Sequence, residues 1–194
     1  MELIQIEIKS SLMQAFIENK NKAYQVRSSS IIKFIPSSLE DFDPDKDRVF
    51  GVVEDGQMVA GASCYYYDNK KVKIKNVWSD PLKRRKGYAT FLMGEIEKIL
   101  IKENVICWTL TVVGAYKPAI NLYKKLGFKP YRICAREPKT CCMISMIKYL
   151  PKKRNFLRHS FRCLCLIVSK IKYWLLFKKD CTPKLLYKIL YKNK

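Results

Sequence analysis

The sequence feature that most constrains the fold is the segment Asn76–Thr90, NVWSDPLKRRKGYAT. It starts with residues typical of a strand, and Pro81 ends that strand because proline has no N–H group to continue a ladder of hydrogen bonds. Basic residues and Gly87 then lead into an amphipathic helix. A basic loop with glycine at this place favours anions, since the first N–H groups of a helix have no intrahelical partner and its N-terminus is partially positive. The segment therefore predicts a strand–loop–helix unit with an anion site at the start of the helix.

Hydrophobic periodicity along the chain predicts a mixed α/β sheet with helices on its faces. Asp55-Gly56 is a strong signal for a hairpin turn, and Gly127 is a good C-terminal end for a helix. In the first helix the expected apolar positions include Leu12, Phe16 and Ala23. The predicted strands are 3–8, 49–54, 58–67, 71–78, 105–113, 128–135 and 140–149, and the predicted helices are 11–24, a short one opening at 37–40, 89–103 and one starting near 118.

The net charge of +21 is concentrated at the C-terminus. Residues 151–194 hold thirteen lysine or arginine side chains and one acid, whereas residues 1–150 hold 25 basic and 16 acidic side chains. With 48% apolar residues, the chain as a whole is too hydrophobic for a disordered protein. The change of composition near Pro151 predicts a domain over residues 1–150 and a basic, amphipathic, helical C-terminal extension over residues 151–194.

The eight cysteines favour reduced thiols over a disulfide framework or a metal site. The first ten residues alternate polar and apolar side chains and lack the continuous apolar core of a secretory signal. No CxxC or CxxH pair occurs. Cys64 and Cys107 fall in apolar, strand-like runs, where cysteine acts as a small hydrophobic residue. We therefore expect a cytoplasmic protein that needs no metal.

Two motifs stand out in the predicted order of elements, Arg84-x-x-Gly87-x-Ala89 and AINLYKKLGF at Ala119–Phe128. Together they resemble the GNAT superfamily of N-acetyltransferases. The first matches the superfamily's Q/R-x-x-G-x-G/A loop, and the second is close to its A-I-x-L-Y-x-K-x-G-F segment. Together with the order of strands and helices, the resemblance covers residues 1–150. It implies a GNAT-like fold, a mixed and mostly antiparallel sheet flanked by helices.

The resemblance implies an enzyme that uses acetyl-coenzyme A as co-substrate, without a metal. The acetyl group would pass to a primary amine by direct attack, with no covalent enzyme intermediate. Free N–H groups of the loop and helix start would cradle the coenzyme's pyrophosphate, and the end of the fourth strand would offer main-chain hydrogen bonds to its pantetheine arm. The implied coenzyme-binding residues are Val77, Trp78, Ser79, Arg84, Arg85, Lys86, Gly87, Tyr88, Ala89 and Thr90.

Tyr123 stands where the superfamily often places the acid that protonates the leaving thiolate. A tyrosine, with an ordinary pKa of about 10, can protonate a thiolate of similar basicity. The alternative is a helix tyrosine that packs its ring. Of the two, the resemblance favours the proton donor.

The chain departs from the superfamily's pattern at two positions. Many members have an asparagine three residues before the matched alanine, where this chain has Tyr116. Some members carry a glutamate on the fourth strand as general base, where this chain has Lys73 and no acid between Lys70 and Ser79. The sequence therefore leaves three possibilities for the general base: a water chain, an acid from the Glu40–Asp47 segment, or no base if the amine arrives neutral.

Lys73 and Lys75 lie on the same side of the predicted fourth strand. They are either snorkelling lysines on a solvated edge or the lining of a basic acceptor cleft. A basic cleft prefers an acceptor with a carboxylate or phosphate over a polycation. The expected acceptor is a small-molecule or peptide amine. If the two lysines line an acceptor cleft, this acceptor is expected to be acidic.

The C-terminal extension has apolar residues at helical spacing between Phe156 and Phe177, with basic residues on another face. Its longest run without charge, Cys163–Ser169, is far too short to span a bilayer. A basic amphipathic helix with aromatic residues suits the anionic inner surface of a membrane. Packing on the domain or a second subunit is the next alternative, and nucleic acid is the least favoured. A rival to the enzyme is a non-catalytic GNAT-fold binding module that acts through this extension on membrane or nucleic acid.

Overall fold

A computed structural model of the chain describes residues 1–26, 34–136, 141–150, 165 and 167–169. The chain divides into two compact units, Met1–Trp108 and Thr109–Lys194. The strands are β1 (Glu2–Ile6), β2 (Asp47–Glu54), β3 (Gln57–Tyr66), β4 (Lys71–Ser79), β5 (Cys107–Val113), β6 (Lys129–Arg136) and β7 (Cys141–Tyr149), and the helices are α1 (Ser11–Gln25), α2 (Tyr88–Lys102) and α3 (Lys117–Lys125).

The seven strands form one sheet in the order β1-β2-β3-β4-β5-β7-β6. The pairs β1–β2, β2–β3, β3–β4 and β6–β7 are antiparallel. This confirms the predicted mixed, mostly antiparallel sheet with helices. Asp55 and Gly56 have φ angles of 52° and 73°, the left-handed conformations that the two-residue turn between β2 and β3 requires.

In the first unit, α1 packs on one face of the sheet. Its buried side chains Met13, Phe16, Lys20 and Ala23 follow helical spacing. Of the three apolar positions expected from the sequence, Phe16 and Ala23 are buried, whereas Leu12 is 47% exposed and the neighbouring Met13 is buried instead. The cluster on this face consists of Ile6, Met13, Phe16, Ala23, Phe42, Val49 and Trp78.

Gly61 of β3 is required by the packing of that cluster. A Cβ atom there would lie 2.6 Å from the ring of Phe16 and 2.8 Å from the indole nitrogen of Trp78. These are ring atoms rather than flexible chain ends, so neither can move aside freely. Phe16 meets the Trp78 ring edge-on at 5.9 Å, and this contact ties α1 to β4.

The other face of the same strands is covered by α2. Its buried residues Leu92, Met93, Ile96 and Leu100 follow helical spacing. The fully buried Cys64 lies in β3 as a small hydrophobic residue, and burial raises the pKa of its thiol.

The second short helix predicted near Ser37–Glu40 is only a 3₁₀ turn, Leu39–Asp41. The Asp41 carboxylate accepts a hydrogen bond from the Ser38 N–H group at 3.0 Å. Pro44 explains why the turn does not continue, because the residue before a proline is disfavoured in the helical conformation. The short helix predicted here is therefore limited to a single 3₁₀ turn.

In the second unit, α3 carries Pro118 in its first turn, as the sequence predicts. The helix ends in a Schellman motif at Gly127, whose φ is 87°. The N–H group of Gly127 donates to the Lys124 carbonyl at 3.0 Å, and that of Phe128 donates to the Tyr123 carbonyl at 2.9 Å. The predicted turn between the last two strands, residues 137–140, lies outside the described residues.

Most of the predicted extension, residues 151–194, lies outside the described residues. The described residues of the extension, 165 and 167–169, are helical, and the helix predicted there stays a prediction. No helix in the described part of the chain is long and apolar enough to cross a membrane.

Candidate active site

A β-bulge lies near the C-terminal end of β4. Trp78 pairs with Gly61 and Lys75 pairs with Ser63, so two residues of β4 face one residue of β3. Within the bulge Asn76 has a φ of 54°, a conformation that asparagine tolerates better than most residues. Its side-chain amide donates to the Ser63 hydroxyl at 3.1 Å, which fixes the bulge to β3.

The bulge redirects the main chain of the predicted coenzyme-binding residues Val77, Trp78 and Ser79. The Val77 carbonyl accepts a hydrogen bond from the Tyr24 hydroxyl of α1 at 3.1 Å. The Trp78 side chain is 2% exposed and belongs to the core, so this residue can meet a ligand only through its main chain. Tyr24 was not predicted as part of the site, and no local sequence signal marks it.

The loop after β4 is held by its own main chain and by Asp80. The Asp80 carboxylate accepts from the Leu82 N–H group at 2.9 Å, and the Asp80 N–H group donates to the Val59 carbonyl at 2.9 Å. A short 3₁₀ turn, Pro81–Lys83, follows. The Lys83 ammonium donates to the Gln57 side chain at 3.1 Å, so the loop is joined to the start of β3.

The segment from Arg84 to Gly87 is exposed and turns twice through the left-handed region. Arg85 has a φ of 66° and Gly87, the N-cap of α2, has a φ of 88°. A Cβ atom at Gly87 would meet nothing within 4 Å, so the main chain there is open to approach. Successive N–H groups in such conformations form concave anion sites.

The first turn of α2 leaves its donors unused. Phe91 makes the first bond of the helix, to the Gly87 carbonyl at 2.9 Å. No side chain caps the helix and no acid lies in its first turn. Within the described ranges, the N–H groups of Tyr88, Ala89 and Thr90 have no acceptor. These donors, the helix dipole and the three neighbouring cations form a site that fits a phosphate or pyrophosphate.

Glu54 anchors the start of α2. The Tyr88 hydroxyl donates a hydrogen bond to the Glu54 carboxylate at the end of β2, and this bond raises the pKa of Tyr88 to about 12. The buried Tyr88 ring thus fixes the first helical turn to the β2–β3 hairpin. The contact spans 34 positions in the sequence, so neighbouring residues give no sign of it.

Lys20, on the buried stripe of α1, was not predicted from the sequence either. It is 2% exposed, its ammonium donates to the Ser37 hydroxyl, and it lies 5.5 Å from the centre of the Tyr24 ring. Burial lowers the pKa of Lys20 to about 8, with Asp41 partly opposing the shift. The side chain of Asn21 and the main chain of Ser37 exchange two further hydrogen bonds, of 2.9 and 3.0 Å.

Among the acids of the Glu40–Asp47 segment, Asp47 contacts the face of β4. Its carboxylate is buried, lies 3.1 Å from the Lys75 ammonium and accepts from the Asp43 N–H group at 3.1 Å. Lys75 is therefore partly neutralised by an acid that sequence spacing could not assign to it. The described residues contain no cluster of three acids, cysteines or histidines that could hold a metal ion.

Tyr123 belongs to the second unit, on α3. Its side chain is 7% exposed, and its ring meets the ring of Phe128 edge-on at 5.9 Å. The packing role considered for this tyrosine is thus present. Its role as proton donor stays a prediction.

Comparison with protein families decides the identification. A model of the acetyltransferase (GNAT) family matches residues 8–128, which is more than half of the chain. The chain belongs to the GNAT family. Both motifs that carried the resemblance, Arg84–Ala89 and Ala119–Phe128, lie inside the matched range. Comparison with curated protein sequences finds no match.

Solved structures with the GNAT fold cover most of the chain at low identity. The ribosomal-protein-S18-alanine N-acetyltransferase from Escherichia coli is 19% identical, with a TM-score of 0.65 over 80% of this chain and 98% of the other. The ribosomal-protein-alanine N-acetyltransferase from Brucella melitensis is 16% identical, with a TM-score of 0.62 over 77% of this chain and 100% of the other. An aminoglycoside 6'-N-acetyltransferase complexed with coenzyme A is 11% identical, with a TM-score of 0.63 over 80% of this chain and 100% of the other. At these identities, the likeness is one of fold.

Proposed function

We propose that this GNAT protein transfers the acetyl group of acetyl-coenzyme A to a primary amine by direct attack. The observation that carries the proposal is the set of unpartnered N–H groups at the start of α2, beside the exposed Arg84–Gly87 loop. A diphosphate needs several donors aimed at one point, and a helix start preceded by left-handed residues provides them without side-chain rearrangement. Family membership supports acyl transfer in general, and the site suits the coenzyme in particular.

The proposed roles of the residues follow from their positions. The main chain of Gly87, Tyr88, Ala89 and Thr90 holds the pyrophosphate, with Arg84, Arg85 and Lys86 as neighbouring cations. The bulged end of β4, Val77–Ser79, aligns the pantetheine arm through main-chain hydrogen bonds. Tyr24 and Asn76 are positioning residues, because they hold the bulge from two sides.

The coenzyme, when bound, supplies a thioester whose carbonyl carbon is open to attack. The amine nitrogen forms a bond to that carbon, the carbon–sulfur bond breaks, the amine loses a proton and the thiolate gains one. We assign the second proton to the Tyr123 hydroxyl. The general base stays open between a water chain, an acid of the Glu40–Asp47 segment and no base, and of these acids Asp47 lies 3.1 Å from the Lys75 ammonium on β4.

The transfer is tested by following amine-dependent release of the coenzyme thiol in the unmodified protein and in Tyr123→Phe. The phenylalanine keeps the ring that contacts Phe128 and removes only the hydroxyl. Loss of a general acid lowers kcat by about 100-fold or more, while stabilisation by the coenzyme stays unchanged. Tyr149→Phe, on β7, is the control.

An unchanged kcat in Tyr123→Phe would remove Tyr123 from the reaction. If acetyl-coenzyme A stabilised the protein and no amine in a broad panel released thiol, the non-catalytic binding module would replace the enzyme.

A further inference from the structure

One face of the β3–β4 hairpin carries a group of tyrosines and lysines that the proposed coenzyme site does not use. Tyr65 is paired with Lys73 in the antiparallel register, so the two side chains lie on the same face. Tyr67, Lys71 and Lys75 share this face because side chains alternate along a strand. We call these five residues the tyrosine–lysine face.

Contacts within the tyrosine–lysine face hold its side chains in order. The Lys75 ammonium lies 4.6 Å from the centre of the Tyr65 ring, and the Lys71 ammonium lies 5.4 Å from that of Tyr67. The two rings meet edge-on at 5.1 Å. Cation–π contacts of this kind orient an ammonium without neutralising it.

The positive charge of this face is only partly balanced. Asp47 pairs with Lys75, and the Asp68 carboxylate is engaged by the main-chain N–H groups of Lys70 and Lys71 at 2.7 and 2.8 Å. In the part of the chain that the structure describes, no carboxylate pairs with the ammonium groups of Lys71 or Lys73. Lys71 is exposed, Lys73 is half-buried and Tyr67 is 53% exposed, so solvent reaches the face.

The tyrosine–lysine face and the proposed reaction centre lie on the same strand. Lys73 precedes Val77 by four residues, and the bulge shortens the path, so the two are about 10 to 13 Å apart along β4. The same distance separates the amine of an extended peptide from the side chain of about its fourth residue. An acceptor that presents its amine at Val77–Ser79 would thus reach Lys73 with a group at this distance.

We propose that the tyrosine–lysine face is the specificity site for the acceptor, which carries a carboxylate about 10 Å from its reactive amine. Lys73 is the central contact, since no carboxylate of the described residues pairs with its ammonium group and it lies opposite Tyr65, whose ring contacts Lys75. Lys71 and Tyr67 extend the face toward the hairpin turn. This inference rests on the proposed acetyl transfer, because the position of the amine is set by that reaction.

The test measures binding of three tetrapeptide amides with free amino termini, which differ only in glutamate, glutamine or lysine at the fourth position. Equilibrium binding is measured in the presence of coenzyme A, and kcat/KM is measured with acetyl-coenzyme A. We expect the glutamate peptide to bind about 10-fold more tightly than the glutamine peptide at low salt, and the difference to shrink as salt rises. The lysine peptide should bind most weakly.

Lys73→Gln should reduce the preference for glutamate to near unity, and Lys73→Glu should make the lysine peptide the preferred one. Lys98→Gln, on the exposed side of α2, removes the same charge elsewhere and should leave the preference unchanged. Equal binding of the three peptides, or an unchanged preference in Lys73→Gln, would overturn the inference.

Failure of the inference can be told apart from failure of the proposed function. If the coenzyme stabilises the protein and all three peptides are acetylated equally, only the tyrosine–lysine face loses its role. If the glutamate peptide binds preferentially and is never acetylated, the binding role of the tyrosine–lysine face is supported and the proposed acetyl transfer is wrong.

Discussion

The two ends of β4 are both basic, and they present positive charge in different ways. At the C-terminal end, main-chain N–H groups are fixed by the bulge at Asn76 and by the left-handed residues Arg85 and Gly87. At the N-terminal end, the positive charge is carried by side-chain ammonium groups, and those of Lys71 and Lys75 lie beside tyrosine rings. Ligand binding at the C-terminal end should therefore depend on backbone conformation, whereas binding at the N-terminal end should depend on side-chain charge and on salt concentration. The following substitutions test this difference.

The largest effect is expected from a change that removes the support of the whole strand. Gly61→Ala forces a Cβ atom against Phe16 and Trp78, and overpacking of this kind lowers the free energy of unfolding by about 3 kcal/mol. Chemical denaturation measures it. The control is Gly51→Ala on the neighbouring strand, paired in register with Gly61, where the new atom meets the chain ends of Ile6 and Met58 at 3.1 and 3.3 Å.

We expect Gly51→Ala to cost clearly less than Gly61→Ala, because those chain ends can shift. Equal losses in the two variants would show that the Phe16–Trp78 contact is not what makes glycine necessary at Gly61.

The next effect concerns the buried amine of Lys20, on α1. The folded protein holds Lys20 with a pKa of about 8, below the 10.5 of the exposed side chain, so the unfolded chain binds more protons between these values. The free energy of unfolding attributable to this group therefore rises as pH increases from about 8 to 10.5, by up to about 3 kcal/mol. Below pH 8 the cost of burying the charged amine is constant.

Lys20→Met keeps an unbranched side chain, one atom shorter, and removes the charge. The free energy of unfolding of this variant and of the unmodified protein is measured from pH 7 to 10.5. The variant should be more stable by the largest margin at pH 7, and the two values should converge at high pH. A difference independent of pH would mean that Lys20 keeps an ordinary pKa.

The smallest effect separates the two ends of β4 directly. Tyr24→Phe removes the hydroxyl that holds the Val77 carbonyl and should cost about 1 kcal/mol in coenzyme affinity, roughly a fivefold weaker Kd. Binding of the acidic peptide at Lys73 should not change in the same variant. Isothermal titration with each ligand measures both, and equal losses would show that the two ends are not independent.

The sequence was sufficient where a local signal determines the backbone. The strand–loop–helix unit around Gly87, the turn at Asp55-Gly56 and the helix end at Gly127 all depend on glycine, proline or charge within a few residues, and all are confirmed. The bulge at Asn76 had no such signal, because it exists only relative to the partner strand. The sequence also gave no reason to expect that Lys20 is buried, since helical spacing counts a lysine as polar.

Contacts between distant positions account for the other omissions. Tyr24 and Val77 are 53 positions apart, and Tyr88 and Glu54 are 34 apart, so spacing cannot connect them. The pairing of Asp47 with Lys75 likewise arises from the order of the strands. Such contacts determine how the site is held, whereas the local motifs determine where it lies.

The central claim, that the start of α2 binds the coenzyme, is tested most directly by thermal unfolding with and without acetyl-coenzyme A. The unmodified protein is compared with Gly87→Glu and with Gly56→Glu, which places the same charge and the same positive-φ strain at the β2–β3 turn, also in open space. Coenzyme at about 100 times its Kd should stabilise the unmodified protein and Gly56→Glu by about 2.7 kcal/mol, roughly 5 to 10 °C in Tm. Gly87→Glu should show no shift, and an equal shift in Gly87→Glu, or none in any of the three proteins, would contradict the claim.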